Sequence, residues 1–161
     1  MQEIADLRVN EWKNSARWEG MMKARKLFVL LIGLAWPFLG LGLLALHFGY
    51  LPSGSTLVAE AIGLFLAGIL SGCLFMAAYS GLNSTLGRGM VHLGYLLFAP
   101  LGLMAALVAP SPIESSTGIS MLTILVATPM AIILYGNLIV AAGLGITGGL
   151  ALSVKVLASR F

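Results

Sequence analysis

The sequence predicts an all-α fold: a polytopic transmembrane helical bundle of four spans, with five as the alternative count, and an N-terminal interfacial helix. Three observations lead there. Of 161 residues, 59% are hydrophobic and 9% charged, with a mean hydropathy of +0.99. A soluble domain carries about a quarter charged residues, so lipid rather than water has to cover this surface. The apolar residues also form runs long enough to cross a hydrocarbon core of roughly 30 Å at about 1.5 Å per helical residue. Polar residues gather in the short links and in the first 26 positions. The organisation read from this is a cytoplasmic amphipathic or interfacial segment over 1–26 and a transmembrane bundle over 27–161.

Residues 1–26, MQEIADLRVNEWKNSARWEGMMKARK, have helical composition and end in Lys23, Arg25 and Lys26. Ile4, Leu7, Trp18 and Met22 share one arc of a helical wheel, but Glu11 intrudes and Trp12 falls outside it, so the amphipathicity is partial. A helix at headgroup level, anchored by tryptophan and basic groups, is expected; a solvated helix that contacts a partner is the alternative. No small-residue cleavage pattern precedes the first apolar run, so the segment is expected to be retained. Six of the nine basic residues lie here, which makes the net charge of +3 a membrane signal rather than a nucleic-acid one.

Span 1 is expected over 27–48, followed by the link GYLPSGST with Pro52 and Gly54 as turn formers. Span 2 covers 57–79 and span 3 covers 91–109, separated by SGLNSTLGRGM with Arg88. Basic residues precede span 1 and lie between spans 2 and 3, while the other links have none. By the positive-inside rule the N-terminus is cytoplasmic, and the expected location is the cell inner membrane.

No charge occurs between Ser115 and Val154. One reading breaks this run at Tyr135-Gly136-Asn137 into two short spans. The other keeps a single crossing over 118–157, kinked near Pro129; at about 1.5 Å per residue it is roughly 60 Å long and has to tilt or protrude. Lys155 and Arg160 at its end favour the single crossing, hence four spans.

Small residues recur four apart in span 2 (Ala59, Gly63, Ala67, Ser71, with Gly68 and Gly72 beside them) and in the last span (Ala141, Gly145, Gly149, Ser153). Residues at i and i+4 share a helix face, and small side chains there let backbones approach. Gly63, Ala67, Gly68, Gly72, Gly145 and Gly149 are therefore candidate packing positions, joining spans 2 and 4 or one span to another subunit. Pro37 in LAWPFLG and Pro100 in LFAPLG sit at similar mid-span depth and are expected to kink their helices.

The chemistry-bearing groups are few. Cys73 is the only cysteine, and no zinc-ligand spacing, phosphate loop or nucleophile elbow is present, so no metal and no cofactor are expected. His47 and His92 fall at opposite ends of the bundle, which argues against a bis-histidine haem. Glu60, just inside span 2, His47 at the same outer depth and Tyr50 in the link form a candidate proton, ion or ligand site, because an intramembrane carboxylate is a functional candidate by default. Two shallow groups that reach headgroup water are the structural alternative. Asn137 and Tyr135 form a candidate polar site near the midplane. Tyr79, Ser80, Asn83, Ser84, Thr85, Arg88, His92 and Tyr95 form an inner polar cluster, read as an interfacial belt near lipid phosphate.

In size the chain resembles the membrane isomerases that include styrene oxide isomerase and hydroxylaminobenzene mutase. Ala59-Glu60-Ala61-Ile62-Gly63 is similar to their second-helix pattern, except that Glu60 stands where a histidine is expected, which removes the residue such chemistry leans on. The favoured expectation is an integral membrane bundle acting as a homo-oligomer or as a subunit of a larger membrane complex, assisting passage of a proton or small solute. The alternative is a membrane-embedded, isomerase-like enzyme acting on an apolar small molecule. The expected partners are the lipid bilayer and copies of the chain or other membrane subunits, not nucleic acid.

Overall fold

The structure is a computed structural model and describes residues 2–49, 51–108 and 121–159. These form α1 (Gln2–Leu43), continued by a π-helical turn (Leu44–Phe48), α2 (Ser55–Ser80), α3 (Thr85–Val108) and α4 (Met121–Ala158). No strand occurs among the described residues. All four helices are long and apolar enough to cross a membrane. The chain is an all-α membrane helical bundle.

The long uncharged run is one helix. No backbone break occurs at Tyr135-Gly136-Asn137; Asn137 Nδ2 instead donates to the Ile133 carbonyl at 3.0 Å, one turn back in the same helix. Pro129 is carried inside α4, as Pro37 is in α1 and Pro100 in α3. Proline removes a single donor from the ladder, and surrounding helices hold the rest of the helix together. At the other end of the chain, α1 passes through Lys26 and Leu27 unbroken, so the basic segment and the first span are one helix that changes in chemistry rather than in backbone. α3 begins six residues before the expected span because Ser84 caps it: its Oγ accepts the Gly87 amide at 3.1 Å.

Around the bundle the helices run in the order α1, α2, α4, α3, and α1 meets α3 only sparsely. Three of the four sides are drawn tight by glycines. On the α1–α2 side, a Cβ on Gly68 would stand 2.9 Å from both the Ile32 carbonyl oxygen and Trp36. On the α2–α4 side, a Cβ on Gly63 would meet Pro129 Cα at 2.9 Å, and on the α3–α4 side one on Gly102 would run into the Gly136 carbonyl. Lipid tails give helices no hydrophobic reason to associate, so backbone proximity of this kind is what holds them. The α1–α3 side is formed by large side chains and stays loose.

The core runs through Trp36, Leu64, Phe75, Val91, Leu103, Ile132, Val140 and Leu144. The outside is no less apolar: Phe38 is 79% exposed, and Leu97, Leu101, Leu134 and Leu138 point outward as well. A surface with this much exposed hydrocarbon is stable only against acyl chains. Contacts such as Gly72 with Val29 and Gly94 with Thr147 fix the helix directions, so Lys23, Arg25, Lys26, Arg88 and Lys155 lie at one end of the bundle and His47 and Glu60 at the other.

Candidate functional site

The residues singled out from the sequence fall into different environments. Glu60, in the second turn of α2, is only 5% exposed, and its Oε2 is fully enclosed. His47 is exposed on the π-helical turn at the same end, and Tyr50 lies outside the described residues. Asn137 is 5% exposed, and its Oδ1 has no hydrogen-bond partner among the described residues. Tyr135, two residues earlier, is half exposed on the outer surface. Both border a wide apolar groove that α4 forms with Leu70 and Leu74 of α2. Gly63, Ala67, Gly68 and Gly72 are buried in helix seams, whereas Gly145 and Gly149 are exposed, with no atom of another described residue within 4 Å of a Cβ there.

The inner polar cluster divides by task. Ser84 caps α3, and Ser80 Oγ donates to the Ala77 carbonyl of its own helix. Arg88 Nε donates to the Leu82 carbonyl at 2.9 Å, and its guanidinium carbon lies 5.1 Å from the centre of the Tyr79 ring, a cation–π distance. Asn83 and Thr85 are exposed. Tyr79, His92 and Tyr95 instead surround buried Phe75, with ring centroids 5.8, 5.1 and 4.9 Å from it. Offset and edge-on contacts of this kind lock the inner third of α2 to α3.

Above that aromatic layer lies the site with the most developed geometry. Tyr95 of α3 shares a hydrogen bond with Ser71 Oγ of α2 at 2.8 Å, and the Trp36 side chain of α1 faces the same hydroxyl. Residues of three helices meet at one hydroxyl. Trp36 and Tyr95 line a cavity of about 400 Å3 between α1 and α3, walled by Ile32, Leu39 and Leu43 on one side and by Leu96, Ala99 and Leu103 on the other. Pro100 completes the α3 wall, and Trp36 directly precedes Pro37, so both helices lack a backbone donor beside the cavity. The cavity opens on the loose side of the bundle, toward the surrounding lipid. Its size and lining, mostly apolar with a few fixed polar groups, are those of a small-molecule site.

Ser71 is paired with a tyrosine rather than with a base, and His92 packs among rings instead of reaching a hydroxyl. Among the described residues no three His, Cys, Asp or Glu side chains converge to hold a metal. Glu60 is separated from Ser71 along α2 by the fully buried Leu64 and Ala67, with Ile132 of α4 packed at the same level. Those side chains place an apolar layer between Glu60 and Ser71.

Compared with protein-family models, curated proteins and solved structures, the chain matches none of them. Its site has to be read from its own residues. Trp36 carried no signal beyond its place before Pro37, and Ser71 was legible only as a small residue in the span 2 stripe. Tyr95 belonged to the inner polar cluster. Buried Thr128 of α4 drew no attention, having an apolar run on either side.

Proposed function

We propose that this multi-pass membrane protein binds an apolar small molecule that enters from the bilayer between α1 and α3. The observation that carries the reading is the cavity of about 400 Å3 on the loose side of the bundle, lined by Trp36 and by Tyr95, whose hydroxyl is held by Ser71. The partition from lipid into such a site is small in hydrophobic terms, so shape and the polar lining have to supply selectivity. Turnover of the bound molecule, the isomerase-like alternative, would fall to the Tyr95 phenol as its acid or base. Conduction of a proton or solute is disfavoured by the Leu64, Ala67 and Ile132 layer.

A second reading, assembly with another copy or a larger complex, is supported by the exposed Gly145 and Gly149, which sit with Ala77 and Gly81 on a shallow outward groove. Small side chains there would let a foreign helix approach closely. Placement in an inner membrane with the N-terminus in the cytoplasm is supported by the five cations gathered at one end.

Trp36 provides the test. In a Trp12→Phe/Trp18→Phe background it is the remaining tryptophan, and it should transfer excitation saturably to diphenylhexatriene in reconstituted vesicles. Ala99→Phe, which narrows the cavity, should abolish the saturable component. Transfer that rises linearly with probe concentration and ignores Ala99→Phe would mean that the probe meets Trp36 only through bulk lipid, and the reading would be lost.

A further inference from the structure

At the basic end, α1 and α2 enclose another concavity, of about 340 Å3, whose two parts differ in chemistry. Arg25 and Lys26 border one part. The other is a hydrocarbon wall: Val29 and Leu30 follow on α1, and Ile69, Cys73 and Met76 face them from α2. Among the described residues no carboxylate lines it. The three α2 residues are spaced by four and three, so they share one helix face over about 10 Å. The floor is set by a close approach of the two helices, since a Cβ on Gly72 would lie 3.3 Å from Val29 Cα.

The chain crosses a membrane, and this groove lies where the first apolar span meets the basic segment. A molecule that fills it needs a negative group at one end and a hydrocarbon chain at the other. We propose that the groove is a binding site for one anionic phospholipid, with its headgroup phosphate between Arg25 and Lys26 and an acyl chain along Val29, Ile69, Cys73 and Met76. A guanidinium offers a planar fork of donors to phosphate, and an adjacent ammonium adds a point charge. A zwitterionic lipid has the same phosphate, but its own ammonium competes for it. The groove therefore selects by net headgroup charge, and the selection weakens as salt screens it. This site is separate from the α1–α3 cavity, and neither reading depends on the other.

Cys73 makes the proposal directly testable, because it is exposed on the groove wall and is the only cysteine in the chain. The full-length protein carries a bimane label on Cys73 in phosphatidylcholine vesicles doped with brominated phosphatidylglycerol or brominated phosphatidylcholine. Half-maximal quenching should require about tenfold less of the anionic lipid, the scale expected when two cations contact one headgroup. Arg25→Gln/Lys26→Gln should bring the two lipids level, while Arg25→Lys/Lys26→Arg should keep the preference. Lys155→Gln removes a cation from the same end but not from this groove, and should also keep it. On unlabelled protein, phosphatidylglycerol should slow alkylation of Cys73 by N-ethylmaleimide more than phosphatidylcholine does. Equal quenching by the two lipids in the parent protein would overturn the site. A preference that survives Arg25→Gln/Lys26→Gln, or that Lys155→Gln abolishes as fully, would reduce it to diffuse surface charge and overturn it as well.

Discussion

Tyr95 shows how residues of three helices can meet at one hydroxyl. It shares a hydrogen bond with Ser71 and faces the Trp36 indole, so replacing it changes the surroundings of both. Tyr95→Phe keeps the ring against Phe75 but removes the hydrogen bond to Ser71, a loss of about 0.5–1.5 kcal/mol that is softened because a helical serine can turn its hydroxyl to a carbonyl one turn back. A lower thermal midpoint in detergent and an altered Trp36 emission maximum are expected. An unchanged emission maximum would show that the indole does not depend on Tyr95. Glu60 is a contrasting case. A carboxyl group this deep in an apolar helix has to present its oxygens to partners inside the bundle. Glu60→Gln, which keeps the shape and removes the charge, should assemble at parent yield, whereas Glu60→Lys, longer and cationic, should not. Parent-level yield from the lysine variant would mean that the side chain turns readily to headgroup water.

Between helices, what matters is which glycines face inward. Gly63→Leu and Gly68→Leu push a side chain into backbone only 2.9 Å from the position of its Cβ, so both should lose most folded protein in a size-exclusion assay. Gly145→Leu and Gly149→Leu enter open space within the chain and should leave the bundle folded. If these two also split a larger assembly, the exposed face of α4 is where subunits meet; if they unfold the protein, the α2–α4 side extends further than described. The sequence pattern alone does not separate the two stripes, because Gly63 and Gly145 share the same four-residue spacing and composition. The pattern indicates that a face exists, not which neighbour it receives. For the same reason the spans were legible and the α1–α3 cavity was not. Helix length and apolarity are local properties, and Ser84 and the paired prolines are local signals. The proximity of Trp36, Ser71 and Tyr95 depends on the order of helices around the bundle, which is settled by glycine seams dispersed over the whole chain.

Over the whole molecule, helix lengths and charges are asymmetric in the same direction. α2 and α3 have 26 and 24 residues, enough for a hydrocarbon core, while α1 and α4 have 42 and 38. Gly63 of α2 is level with Pro129 and Ile132 of α4, which aligns the first turns of these two helices at the Glu60 end. Gly72 is level with Val29, so α1 runs on past the end of α2 by roughly 28 Å at the basic end, where α4 overshoots by several residues too. The surplus helix and all the described lysines and arginines from Lys23 onward thus project at one end, while at the other the described ends of α1, α2 and α4 are nearly level. Moving that end across a bilayer would mean translocating the full basic segment, the step that the positive-inside rule describes as unfavourable. A Cys73→Ser protein with Ser15→Cys or Ser53→Cys measures the outcome. In intact cells a membrane-impermeant maleimide should label Ser53→Cys, on the link beside the Glu60 end, and leave Ser15→Cys unmodified until the membrane is opened. Labelling of Ser15→Cys from outside reverses the orientation. The lipid groove at Arg25 and Lys26 would then belong to the outer leaflet, and Glu60 would lie at the cytoplasmic end.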